Sequence, residues 1–472
     1  MKQIHSFPTL DRSPLTTAAV YAQDYRDRKS NLHPTATLSE LRESFGGDLP
    51  ARGQPGTEII DELIAAAEPG LVGNTQPGFH AWVMGGSHPV GVAADWLTSI
   101  WGQNAALYQG SPAAATAEEV ACGWLLDILD LPRTASVGIT TGATMAGFIG
   151  LAAARDEMLR RDGHDFAETG LQYAPPVTVF VSEETHASNL AALRYLGFGS
   201  RNIVEVPADD QGRMNVDALS RLMAAPQGPK IVIATAGHIN TGAFDDLNAL
   251  ADLAEEYGAW LHVDAAFGLW ARASVSTRAM TEGIERADSW STDGHKWLQI
   301  PFDAGFAIVR HEHAHRRAMD ITASYLPNEP RDGRNATSYN PELSRRGRGF
   351  AVWATMKAFG RDGISDMVRN HCDCASLLAH KLQHVRGIAI LNDVVLNQLV
   401  LSFDRGRGKT DADRLTRAME DALNADGRHF FRTAQWRGRC VLRVSIISQD
   451  TGPLHMQELA HKIIELWHEI GG

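Results

Sequence analysis

The sequence predicts an α/β fold: a mainly parallel sheet flanked by helices, with a helical extension before it and a smaller α+β segment after it. Two observations carry this. Between Val137 and Arg310, short β-branched runs alternate with helical patterns. The runs are apolar throughout rather than on every second residue, as in strands covered on both faces by helices. A third observation sets the scale: 472 residues, 44% of them hydrophobic, exceed what one core serves, so more than one domain is expected.

Taken in order, residues 1–85 read as an N-terminal helical extension, with "GTEIIDELIAAAEPG" as its clearest helix. The stretch "SPAAATAEEVACGWLLDILD" (111–130) carries a capping box from Thr116 to Glu119. Val120, Trp124 and Ile128 then follow at helical spacing, which predicts an amphipathic helix. Within residues 86–325, "VGIT" (137–140), "VTVFVS" (177–182), "IVIATA" (231–236) and "WLHVDAA" (260–266) are the predicted buried strands. Residues 326–345 form a separate unit. Its polar part, "LPNEPRDGRNATSYNPE" (326–342), is either a plain connection or a mobile lid. From 346 to 472 a helix, the strands "VVLNQLVLSF" and "CVLRVSII" and the closing helix "MQELAHKIIELWHEI" make a small C-terminal domain.

Charge and composition exclude several function classes. A net charge of −12 gives no basic face for nucleic acid or an anionic membrane. No apolar run is long enough to span a bilayer, and "MKQIHSFPTLDRSPLT" lacks the apolar centre of a signal peptide, so a cytoplasmic protein is expected. The four cysteines have neither metal-site nor disulfide spacing. The run "HCDC" (371–374) reads as one turn of helix, and no metal is expected.

Ligands of a parallel sheet bind beyond the carboxyl ends of its strands, so the residues there hold the chemistry. After the first strand, "TGATMAGF" turns tightly into a helix, where free backbone N–H groups and the hydroxyls of Thr141 and Thr144 suit an anion. It has neither a Walker loop nor a dinucleotide fingerprint. After the second strand comes His186; after the third, a Gly-bracketed loop with His238, Asn240 and Thr241. After the fourth comes Asp264 among apolar neighbours, a carboxylate that needs a cationic partner. Thirty-two residues further on, Lys296 sits in "STDGHKWLQIPFDAG". A phosphate cradle, a flat imidazole, a carboxylate wanting a cation and a partly desolvated amine fit one group, pyridoxal 5′-phosphate. Desolvation favours the uncharged, reactive form of such an amine.

With these residues in place, "HVDAAFG", "DSWSTDGHKW" and "GAFDD" resemble the group II amino-acid decarboxylases, pyridoxal-phosphate enzymes of fold type I with a seven-stranded sheet. The helix at 111–132 and "ELSRRGRGFAVW" (342–353) extend the resemblance over nearly the whole chain. It implies that Lys296 forms the Schiff base, that Asp264 partners the ring nitrogen, and that His186 stacks on the ring and relays a proton. It assigns the phosphate to Ala143 and Thr144, with His295 close by. A lid tyrosine that returns a proton to the substrate carbon would be Tyr339, with Tyr325 as its competitor, and Arg348 would follow the lid. Where the family has a threonine pair after the glycine, this chain has His238 and Ile239, which leaves Asn240 and Thr241 for that pair's contacts. Trp82 and Tyr108 would line the substrate pocket, beside small residues such as Ala106. The implied reaction is decarboxylation of an L-amino acid to an amine in a homodimer with sites at the subunit interface. An aldehyde-forming or other lyase outcome on the same scaffold is the alternative.

Overall fold

The computed structural model describes residues 13–28, 31–321, 323–324 and 333–471. Its larger sheet has seven strands: β1 (Ser136–Thr140), β2 (Thr178–Ser182), β3 (Ile203–Val206), β4 (Lys230–Thr235), β5 (Trp260–Asp264), β6 (Ser289–Asp293) and β7 (Gly305–Val309). They are ordered β1-β7-β6-β5-β4-β2-β3, and only β7 runs against its neighbours. This is the expected mainly parallel sheet.

The apolar runs are explained by two cores, one on each face. Phe180, Val232, Ala234, Leu261 and Val263 face one core, with Leu125 and Leu250 from covering helices. The intervening Val179, Val181, Ile231 and Ile233 face the other, under the helices Ala143–Arg161 and Ala187–Tyr195. Because the side chain direction alternates along a strand, a strand between two cores must be apolar at every position.

A second, antiparallel sheet is ordered β10-β11-β9-β8, from β8 (Ile388–Ile390), β9 (Gln398–Phe403), β10 (Thr433–Trp436) and β11 (Arg439–Ser445). It has its own core with the helices Lys409–Asn424 and Pro453–Gly471. The N-terminal segment is tied to this part of the chain. His80 N–H donates to the Phe430 carbonyl at 3.0 Å, and Ser445 N–H donates to the His80 carbonyl at 3.0 Å. The long helical segment Gly349–Leu382, bent at Gly360, contributes to both cores and contains the "HCDC" run. Among the described residues no helix is long and apolar enough to cross a membrane.

Two local expectations need correction. The helix expected to start at a Thr116 capping box starts earlier, at Pro112, with Pro at its first position, where the missing N–H costs nothing. Thr116 and Glu119 thus lie inside it. Its buried face holds Ala121, Cys122, Leu125 and Leu126, whereas Val120 and Trp124 are exposed, and Trp124 stacks on Trp353.

Candidate functional site

A cavity of about 440 Å³ opens at the carboxyl ends of β1, β2, β4, β5 and β6. The strand-end residues Thr141, Ala143, Thr144, His186, Asp264, His295 and Lys296 all line it. Residues up to 155 positions apart are therefore brought together because parallel strands all present the same end.

Each is held by its element. Ala143 and Thr144 open the first turn of the helix Ala143–Arg161, where N–H groups lack helical partners. His186 is the N-cap of the helix Ala187–Tyr195. Its Nδ1 meets the Ser188 hydroxyl at 2.7 Å and accepts the Ser188 N–H at 3.3 Å, so Nε2 stays available. Asp264 ends β5 and is 8% exposed. Asn189 Nδ2 donates to its Oδ2 at 2.8 Å and the Ala266 N–H to its Oδ1 at 3.3 Å, but among the described residues no cation pairs with it. One turn of pleat away, burial pushes the His262 imidazole down to about 4, against the pull of Asp264.

Lys296 lies between β6 and β7 with its Nζ 3.0 Å from Asp293 Oδ2. Trp297, Leu298 and Ile300 behind it are essentially fully buried, which keeps water from that side of the amine. Burial also pushes the His295 imidazole below its ordinary value, opposed by Asp293. Gln299, at φ +57°, fixes the loop from within. Its Nε2 donates to the Lys296 carbonyl at 3.0 Å and the Ile447 carbonyl at 2.7 Å, while its Oε1 accepts the Gly86 N–H at 2.8 Å. Gly85 packs so closely on the carbonyls of His295 and Lys296 that a side chain there would overlap them.

Other expected residues stand elsewhere. Asn240 does not line the cavity; Thr241 is fully buried and its hydroxyl donates to the Gln211 carbonyl at 2.7 Å. The wall at this loop is made by His238 and Ile239 instead. Tyr339 is also off the cavity. Its phenol donates to Glu312, Arg334 lies 4.0 Å over its ring, and its carbonyl accepts from His315 Nε2 at 3.0 Å. Burial, then the Glu312 bond, pushes this phenol up to about 12, so it is poorly suited to give up a proton. Trp82 is half exposed beside Phe430. Tyr108 offers its backbone N–H to Asn335 Oδ1, and Arg348 pairs with Asp303 at 2.8 Å. None of these three lines the cavity within one chain. Tyr325 lies outside the described residues.

Three contributors were not anticipated. Glu184 lines the cavity and accepts from His238 Nε2 at 3.1 Å, Trp436 Nε1 at 2.7 Å and Arg437 Nε at 2.7 Å. Burial pushes its carboxyl up, but the bonds from His238 and Trp436 outweigh this and hold it at about 2. Arg443 of β11 reaches the carbonyl of the cavity residue Ile239 at 2.6 Å. It is 8% exposed, has no carboxylate partner among the described residues, and burial pushes it down to about 10. Asp293 takes the Ala143 N–H on Oδ1 at 2.5 Å. Only a signal of odd chemistry marks them in the sequence: an acid two residues before His186, an arginine in an apolar strand, an acid three before the lysine.

The site fits pyridoxal phosphate. Asp264 is a buried carboxylate that has no cation beside it among the described residues, and a protonated ring nitrogen would supply one. The helix N-terminus at Ala143 suits the phosphate, and Lys296 suits the aldehyde. Comparison with known proteins agrees. The profile of the pyridoxal-dependent decarboxylase conserved domain matches residues 39–403. Tryptophan decarboxylase 1 of Oryza sativa subsp. japonica is 28% identical over 92% of this chain and 89% of its own length. The L-2,4-diaminobutyrate decarboxylase of Rhizobium meliloti (strain 1021) is 28% identical over 96% of this chain and 90% of its own. The crystal structure of Oryza sativa TDC with PLP and tryptamine superposes with a TM-score of 0.89 at 25% identity, covering 98% of this chain and 99% of that one. With that profile spanning most of its length and a Lys–Asp–His cavity at the strand ends, the chain belongs to the pyridoxal-dependent decarboxylase family.

Proposed function

We propose that the protein removes CO₂ from an L-amino acid to give the amine, with Lys296 as the residue that bonds the cofactor. The observation that carries this is Asp264: a buried carboxylate, without a cationic partner among the described residues, sharing one cavity with Lys296 and a helix N-terminus. Pyridoxal phosphate, when bound, supplies an aldehyde that captures the substrate amine and a cationic ring that takes up the electron pair left as CO₂ departs. The chain's residues do the rest. Asp264, fixed by Asn189, would keep the ring nitrogen protonated. His186, with Nε2 available, would cover the ring and move a proton at the substrate carbon. Ala143 and Thr144 would hold the phosphate, with His295 beside them. Arg443, buried and with no carboxylate partner among the described residues, is off the cavity lining and would steady Ile239, whose carbonyl it holds.

The same proposal includes a homodimer, four chain segments (1–85, 86–325, 326–345 and 346–472) and a cytoplasmic location. Two sheets with separate cores support the main division, and four free thiols suit a reducing compartment. The test is direct. Purified protein should show a visible cofactor band that borohydride fixes on Lys296 and that Lys296→Ala lacks. A panel of L-amino acids should release CO₂ and amine together. Peroxide and aldehyde in place of amine would overturn the amine assignment.

A further inference from the structure

Asp293 is an anion placed where an anion is to bind. It ends β6 and is 3% exposed, and its backbone is fixed on both sides. Its N–H donates to the Ala266 carbonyl at 2.9 Å, and its carbonyl accepts from Trp270 Nε1 at 2.9 Å. Oδ1 takes the Ala143 N–H at 2.5 Å, with His295 Nε2 at 3.4 Å, and Oδ2 lies 3.0 Å from Lys296 Nζ. One carboxylate thus engages both groups that the cofactor must bond, the first free N–H of the Ala143–Arg161 helix and the reactive amine.

The contact to the helix N–H opposes phosphate if it persists. A helix N–H shared with a carboxylate is not free for phosphate, and two anions at contact distance repel strongly in a partly buried site. We propose that Asp293 is a place-holding residue: it keeps the cradle and Lys296 in order before the cofactor arrives and surrenders both on loading. Cofactor uptake is then an exchange of one anion for another, and Asp293 sets how strongly the phosphorylated aldehyde is preferred over the phosphate-free one. This rests on the reading that the cavity takes pyridoxal phosphate.

The experiment strips the cofactor from wild-type protein and from Asp293→Asn and Asp293→Ala with hydroxylamine, then titrates each with pyridoxal phosphate and with pyridoxal. Binding is read from tryptophan fluorescence and from borohydride-fixed mass on Lys296. Removing the charge should lower the Kd for pyridoxal phosphate at least about tenfold in both variants, a small part of a full contact repulsion. The Kd for pyridoxal should move by less than about threefold, because it carries no phosphate to repel. An unchanged or raised Kd for pyridoxal phosphate overturns the proposal. So does equal tightening of both aldehydes, which would place the effect on Lys296 alone. Tightening in Asn but not Ala assigns the gain to a new amide donor and also overturns it. Failure of the wild type to form any adduct on Lys296 sinks the cofactor reading itself, and the proposal with it.

Discussion

Tyr339 and Asp264 differ in how their buried polar atoms are satisfied. Both are buried polar groups, but Tyr339 has its partners in Glu312, Arg334 and His315, while Asp264 has no cation beside it among the described residues. Tyr339→Phe should therefore cost about 1 kcal/mol of stability, the worth of one hydrogen bond to a partly solvated acid, and leave turnover within twofold or so. Asp264→Asn should do the reverse, keeping the fold and lowering kcat at least about a hundredfold, because the ring nitrogen loses the charge that holds its proton. Thermal midpoints and single-turnover rates on the two variants check both; a Tyr339→Phe enzyme that binds cofactor but fails to turn over would reverse the assignment. Lys296, Asp264, His186 and the Ala143–Thr144 turn were legible in the sequence because strand ends can be located from the apolar runs alone. Glu184 with His238, and Arg443 with Ile239, were not. Each pair joins residues 54 and 204 positions apart, and no local pattern encodes that meeting.

At the scale of elements, the helical segment Gly349–Leu382 joins the two cores. Ala351, Val352 and Met356 pack with the large sheet, and Leu378 and Leu382 with the small one. The bend between them is Gly360, at φ +63° and ψ 179°, with nothing in contact range of an added Cβ. The sequence announces a helix here but not the bend, because an isolated glycine in a helical pattern is usually tolerated in helical geometry. Gly360→Ala meets no neighbour, so its cost is backbone strain alone, about 1–3 kcal/mol in a conformation that glycine nearly alone adopts. Urea unfolding should show this as a lower midpoint with an unchanged slope. A variant as stable as wild type would mean the segment straightens without penalty, and that the bend does not set the angle between the cores. The same limit explains the misread face of the Pro112–Ile128 helix. Periodicity finds an apolar stripe but does not say whether a core or another chain covers it.

At the scale of the molecule, two properties follow from what is buried and what is left bare. His80, His262, His315 and His371 are buried, and burial holds them at about 3, 4, 3 and 4. Each has a folded value below its unfolded one, so below about pH 6.5 the unfolded chain takes up protons that the folded chain refuses. Stability present above that pH is lost as pH falls, by up to about 1.4 kcal/mol per unit for each group. Asp245, pushed up to about 6 by burial, works the other way, as do Asp156 and Asp288, whose carboxyls burial also raises; the four deeply buried histidines outnumber them, so the net effect is acid lability. A thermal midpoint that stays flat from about pH 7 to 5 would refute it. What is left bare is an apolar face. Trp96, Leu97, Ile100 and Trp101 on the helix Pro89–Trp101 are 42–60% exposed, and Val120 and Trp124 are partly exposed as well. A monomer seldom leaves so many large apolar side chains uncovered, and a second copy of the chain would cover them. Ile100→Asp, at the most exposed of these positions, should leave the single chain folded and move its mass in light scattering from two chains to one. If the cavity needs the partner to complete its substrate side, where Trp82, Tyr108 and Arg348 stand off within one chain, the monomer should keep its cofactor band and lose turnover. A variant that remains dimeric, or a wild type that is monomeric, would assign the bare face to something other than a second copy.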